Sequence, residues 1–188
     1  RGTAKLSKEI YTFSIPAGYT CPGACKCLSK ANADTGKIKD GLKTEFRCFA
    51  ASQESVYPNV RASRWSNYTK LMECGKSTDL MSALILESLN PKAKYVRIHV
   101  SGDFYLQQYF DAWLEVAKQR PDTVFYAYTK SLKFWTSRLD RIPENLRLTA
   151  SRGGNFDRLI DQLWLPEVHV VFHPDDAGIM EIDHDDSH

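Results

Sequence analysis

The sequence predicts an α/β protein, a partial (open) parallel β/α barrel of about five β/α units. Three observations carry this. Short β-rich runs alternate with helical stretches through the second half of the 188 residues. A first strand leads directly into a loop rich in cysteine. The repeat count, about five, is too small to close an eight-stranded barrel and suits a partial barrel or an open sheet.

Each element has its own signal. Ile10 to Pro16 reads as strand one. Val56 to Asn67 and Leu80 to Leu89 read as helices, with Pro91 as a stop. Tyr95 to Val100 is β-rich and ends at Ser101-Gly102-Asp103. Phe104 to Arg120 follows, with Phe110, Trp113, Leu114 and Ala117 at helical spacing, and Pro121-Asp122 closes it. Thr123 to Thr129 is the next strand, Leu132 to Leu139 a helix, and Leu146 to Ala150 a strand. Asp157 to Leu163 is a short helix, and Val168 to Phe172 a last strand before His173-Pro174-Asp175-Asp176. This order implies parallel strands joined by right-handed helical crossovers.

Residues 1–188 are expected to form one domain. Residues 1–76 hold strand one and the cysteine-rich region, 77–176 the regular units, and 177–188 a flexible acidic tail. Charge follows the same division. Residues 1–76 carry 13 Lys/Arg against 6 Asp/Glu, or +7, and residues 77–188 carry 12 against 17, or −5. The basic half suits an anionic substrate, a redox protein or nucleic acid. No apolar run approaches the ~20 residues that span a bilayer.

The cysteines carry the chemistry. Cys21, Cys25 and Cys27 lie in one short run, Cys48 follows, and Cys74 is the last. Thiols gathered at one end of a chain usually meet at one site, and Pro22-Gly23 turns the chain just after the first. Disulfides suit small secreted domains, whereas a chain of this length can bury a full core. Zinc knuckles favour C-x2-C, and none occurs here. The irregular spacing favours an iron–sulfur cluster, a larger object. Five thiols exceed any four-ligand set, so at least one is idle. Cys25 and Cys27 sit in a C-x-C, where an extended chain sends alternate side chains to opposite faces, so both bind only across a turn. Cys74, in a helical stretch, reads as a small buried thiol.

Every strand end carries polar or thiol groups: the cysteine loop, Asp103, Lys130, Arg152 and His173. Ligands of parallel α/β sheets bind at these ends. Asp103 also reads as the cap of a helix starting near Tyr105. His99, inside a strand, reads as a structural histidine, and Trp65, Trp113, Trp135 and Trp164 as packing residues. Gly153-Gly154 could cradle a phosphate, a weak signal on its own.

A cysteine loop after strand one and Ser101-Gly102-Asp103 at the end of strand two resemble the radical S-adenosylmethionine (SAM) enzymes. That resemblance implies a partial barrel, a [4Fe–4S] cluster with one open iron, and SAM received by Ser101, Gly102 and Asp103. The usual C-x3-C-x2-C is absent: Cys27 comes one residue early. On this reading Lys130, Arg152 and His173 would position an anionic substrate. A broader match runs through Cys21-Pro22-Gly23-Ala24, Cys27, Phe46 to Glu54, Val60-Arg61, Asn67 and Val96 to Phe104. These segments resemble a phage-encoded family, gene product eighty-eight. That resemblance implies a thiol site of Cys21, Cys27 and Cys48, a phage origin and hence the cytoplasm of an infected bacterial host. It leaves Cys25, Cys74 and His173 open as a fourth ligand, and with them the choice between an enzyme and an electron-transfer or structural cluster protein.

Overall fold

The computed structural model describes residues 9–171, 173–178 and 181. Its centre is a five-stranded parallel sheet: β1 (Ile10–Phe13), β4 (Tyr95–Ile98), β5 (Val124–Thr129), β6 (Leu146–Ser151) and β7 (Glu167–Val168), in that spatial order. A separate antiparallel hairpin joins β2 (Ser29–Ala31) to β3 (Ile38–Asp40). The helices are α1 (Phe49–Val56), α2 (Pro58–Glu73), α3 (Thr78–Ser88), α4 (Gln107–Gln119), α5 (Leu132–Thr136) and α6 (Arg158–Leu163). The α/β class and the sequential parallel order follow the expectation.

Residue alternation sorts the sheet into two faces. Val96, Ile98, Phe125, Ala127, Leu146, Leu148 and Ala150 are buried in one apolar cluster with Tyr109, Phe110, Trp113 and Leu114 of α4. Tyr126, Tyr128 and Thr149 are half-buried on the other face, and Arg147 is exposed there. The Arg97 guanidinium lies 5.3 Å from the Tyr128 ring on that same face. A parallel sheet covered on both sides is apolar on both. This one is apolar only toward its helices.

Several boundaries move for local reasons. Tyr57 is extended because Pro58 follows it, so the helix expected from Val56 starts at Pro58 as α2, and α1, ending at Val56, is an addition to the expected elements. The strand expected to reach Val100 stops at Ile98, because His99 takes a left-handed backbone (φ 65°). The helix expected from Phe104 starts at Gln107, because the Phe104 N–H bonds to Asp103 Oδ1 and its carbonyl accepts from Ser131 Oγ. The last strand is only Glu167–Val168, paired with Ala150 and Ser151 and closed by the Arg152 N–H donating to the Val168 carbonyl at 2.8 Å. Phe172, the expected end of that strand, lies outside the described residues, as does most of the expected tail.

Candidate metal centre

The loop after β1 is pressed across the carboxyl ends of the sheet. Ile15 N–H donates to the Ser101 carbonyl at 3.1 Å, tying the loop's start to the end of β4. Gly23 then meets the end of β5 so closely that a Cβ there would lie 2.0 Å from the Lys130 carbonyl oxygen. Beyond it, Ala24 bridges to Gly154, Asn155 N–H donates to the Gly23 carbonyl at 2.9 Å, and Lys26 N–H to Gly153 at 3.2 Å. The loop thus starts at β1 and is stapled to the segment following β6.

The hairpin brings the later thiol back to the loop. Glu45 and Phe46 N–H groups both donate to the Lys26 carbonyl, and Cys48 N–H donates to Ser29 Oγ at 3.3 Å. Cys48 is the N-cap residue of α1.

Cys21, Cys27 and Cys48 act on one another. Burial pushes the Cys21 thiol well up, and Asp103, Cys48 and Cys27 add to this, while the Gly18 N–H at 3.2 Å from Sγ opposes it. Burial also raises Cys27; Lys130 pulls it down, and Cys48 and Asp103 push it up. Burial lowers Lys130, against the pull of Cys27, Asp103, Asp157 and Cys48. Cys25 is not among the main charges acting on Cys21, Cys27 or Lys130. Cys74 ends α2, its Sγ against the Lys70 carbonyl at 3.4 Å, and burial, with Glu73 second, raises it. The expected trio is therefore brought together, and Cys74 stands apart from it.

These residues fit a soft, multi-thiolate centre. Burial and mutual repulsion keep Cys21 and Cys27 protonated, which a bound cation would reverse. Among the described residues, no three His, Cys, Asp or Glu side chains are arranged to hold a single ion. A zinc ion with Zn–S bonds of about 2.3 Å draws its sulfurs to roughly 3.8 Å apart. A four-iron cluster accepts them at wider spacing.

The other expected residues are largely committed to their own chain. Asp103 is buried and accepts from Phe104 N (2.7 Å), Thr129 Oγ1 (2.6 Å) and Lys130 N (2.9 Å). It ties the ends of β4 and β5 together and does not cap α4, which lacks a side-chain cap. Burial pushes its carboxyl up and these donors pull it down. Gly102 has φ 83°, and a Cβ there would lie 2.5 Å from Ile15 Cγ1. Lys130 Nζ donates to the Ser151 carbonyl and Oγ and to the Arg152 carbonyl. Arg152 turns to Glu167 and Asp161, and His173 is exposed beside Asp175. The Gly153 and Gly154 N–H groups both donate to Asp157, so a carboxylate of the chain fills that cradle.

Sequence reasoning missed Glu54. It is fully buried, and its Oε1 accepts from Ala17 N (2.9 Å), Arg64 Nη1 (3.0 Å) and Ser101 Oγ (2.8 Å). It thereby joins the thiol loop, α1, α2 and the end of β4. Nearby, Asn67 Nδ2 donates to the Ser14 carbonyl, and Arg61 donates to the carbonyls of Ala33, Asp34 and Glu54. Glu54, Arg61 and Asn67 all fall inside the segments that resemble the phage family; that was their one available signal.

Comparison with known proteins places the chain. No solved structure matches it. It is 28% identical over 120 residues to the Gene 88 protein of Mycobacterium phage L5, covering 60% of this chain and 44% of that protein. It is 26% identical over 120 residues to the Gene 88 protein of Mycobacterium phage D29, covering 60% and 43%. The matched segment spans less than half the length of either relative. The family model described as Gene product 88 matches residues 1–188, and the chain belongs to that family.

Proposed function

We propose that this chain is a phage-encoded iron–sulfur protein of the infected host's cytoplasm. Cys21, Cys27 and Cys48 would hold a [4Fe–4S] cluster over the strand ends of a partial barrel of the radical SAM kind. One observation carries this: Cys21 and Cys27 of one loop and Cys48 at the start of α1 lie near enough for their charges to act on one another, with Lys130 beside Cys27 and Cys48. The sequential parallel sheet supports the partial barrel, since its polar face suits the lumen of one. Among the described residues no helix is long and apolar enough to cross a membrane.

Three thiolates would leave one iron open, and SAM bound there would supply reductive cleavage chemistry. The chain's own part is to hold the thiolates, keep Lys130 beside them as a compensating cation and brace the strand ends. Lys130 would also meet a small anionic substrate. A second reading, a cluster used for electron transfer or structure, is favoured by Asp103, which is engaged by three donors of its own chain. Anaerobic purification, iron and sulfide analysis and low-temperature EPR with and without SAM test both. About four irons per chain and an EPR change with SAM support the enzyme reading. Iron without a SAM response leaves the electron-transfer reading. A colourless anaerobic protein with stoichiometric zinc overturns both.

A further inference from the structure

The hairpin strapped to the thiol loop carries an unbalanced surface. Residues 26–47 hold six cations (Lys26, Lys30, Lys37, Lys39, Lys43 and Arg47) against Asp34, Asp40 and Glu45, or +3. Lys26 pairs with Glu45 at 3.1 Å and Arg47 with Asp40 at 2.5 Å. Lys30 lies over the Tyr19 ring at 5.0 Å. Lys37, Lys39 and Lys43 are exposed and have no acidic partner among the described residues.

The local pairing is unfavourable in itself. Lys30 and Lys39 are direct cross-strand partners. Like charges opposite one another destabilise a hairpin. Alternation puts Lys37 on the same face as Lys39. Two large apolar side chains are exposed in the segments that follow the hairpin: Leu42, 108% exposed, and Phe49, 56% exposed. Both belong to the thiol-bearing loops. Gly41 N–H bonds to the Leu28 carbonyl at 2.7 Å, one residue beyond Cys27, and Phe49 follows Cys48.

We propose that this face, Lys37, Lys39 and Lys43 with the exposed Leu42 next to Lys43 in the chain, docks a small acidic electron-carrier protein. Apolar contacts within a polar rim are the anatomy of a protein interface. The charge surplus steers an acidic partner, and such encounters are small and salt-sensitive. Nucleic acid fits less well: three lysines would release few counterions, with a salt slope of only about −3. The choice of an electron carrier rests on the iron–sulfur reading; the acidic partner rests on the surface alone.

The test is a titration of isotope-labelled plant-type [2Fe–2S] ferredoxin followed by NMR, with both iron-free and iron-loaded protein. Weak binding is expected in both forms, falling at least about tenfold between low and moderate salt. The triple variant K37E/K39E/K43E should abolish it, and L42S should weaken it severalfold, each with an unchanged circular dichroism spectrum. The proposal is overturned by no binding at low salt, or by equal binding of the triple variant. It is equally overturned if a short DNA duplex displaces ferredoxin from the wild-type surface. A protein that takes up no iron yet still binds ferredoxin would sink the iron–sulfur reading and leave the acidic-partner surface standing.

Discussion

Removing the Asp103 carboxylate should cost stability before it costs any ligand. Asp103→Ala strands the Lys130 N–H and the Thr129 hydroxyl, both now bonded to it at 2.9 and 2.6 Å. A buried donor left unpaired costs about 1–3 kcal/mol. Relief of the carboxyl's own burial penalty offsets part of that, leaving about 2–4 kcal/mol. For a chain of this length each kcal/mol moves Tm by about 2–4 °C, so a fall of roughly 5–15 °C is expected. Asp103→Asn keeps Oδ1 as an acceptor but turns an amide toward the Lys130 N–H, and should lose about half as much. Calorimetry on the iron-free protein is the assay, because no ligand can then contribute. An iron-free Asp103→Ala protein melting within about 1 °C of wild type would refute the bracing role. Loss of SAM response in Asp103→Asn at unchanged Tm would return the residue to cofactor binding.

Cys21→Ser, Cys27→Ser and Cys48→Ser should each lose most of the bound iron, while Cys74→Ser keeps it; iron per chain after anaerobic reconstitution decides, and the reverse pattern would unseat the ligand set. Gly23→Ala drives a Cβ to 2.0 Å from the Lys130 carbonyl, so the loop must lift off the end of β5, and faster limited proteolysis between Cys21 and Cys27 should report it. Burial holds His99 at a pKa of about 3, below its ordinary 6.5, so the unfolded chain binds its proton first on acidification. Stability from this group is full above pH 6.5 and lost toward pH 3 at up to about 1.4 kcal/mol per pH unit. His99→Asn tolerates the left-handed backbone and cannot take that charge, so its stability should depend less on pH in this window; an identical slope in denaturant titrations would contradict it. Raised Cys21 and Cys27 work the other way: the iron-free protein should weaken as pH rises above the ordinary thiol value of 9.0, and a metal-loaded one should resist.

The regular half of the fold was legible because its signals are local. Alternation in Val124–Thr129 and helical spacing around Trp113 need no distant partner to be read. The first half was harder. The β2–β3 strands are three residues each and read as polar loop, because only the long-range bond from Cys48 N to Ser29 Oγ and the packing of α1 give them a place. The thiol trio was legible only through a family resemblance. Spacing alone cannot separate Cys25 from Cys27, since that depends on the loop turning at Gly23 to meet Gly154. Ser101 and Asp103 were placed correctly at a strand end. Their partners Glu54 and Thr129 lie 47 and 26 residues away, and nothing local announces such bonds.

Those long-range bonds explain how the site is held. Two segments bring the thiols: the loop that carries Cys21 and Cys27, and the hairpin return that places Cys48 at the start of an eight-residue helix. Each is pinned by buried polar groups as well as by the apolar packing of Ile15 and of Ala17 against Ala50 and Ala51. Glu54 fixes the loop and α1 to Ser101, Asp103 fixes β4 to β5, and Lys130 fixes β5 to β6. The charges alternate through this layer: Arg64 against Glu54, Lys130 among Asp103, Asp157 and the thiols. Without metal the layer can stay balanced only if the buried thiols keep their protons. A cation delivered to the thiols would release those protons and exchange repulsion for bonds. On the proposed reading metal uptake and loop order would be coupled, and iron should protect the segment from Cys21 to Cys48 more than any other part of the chain.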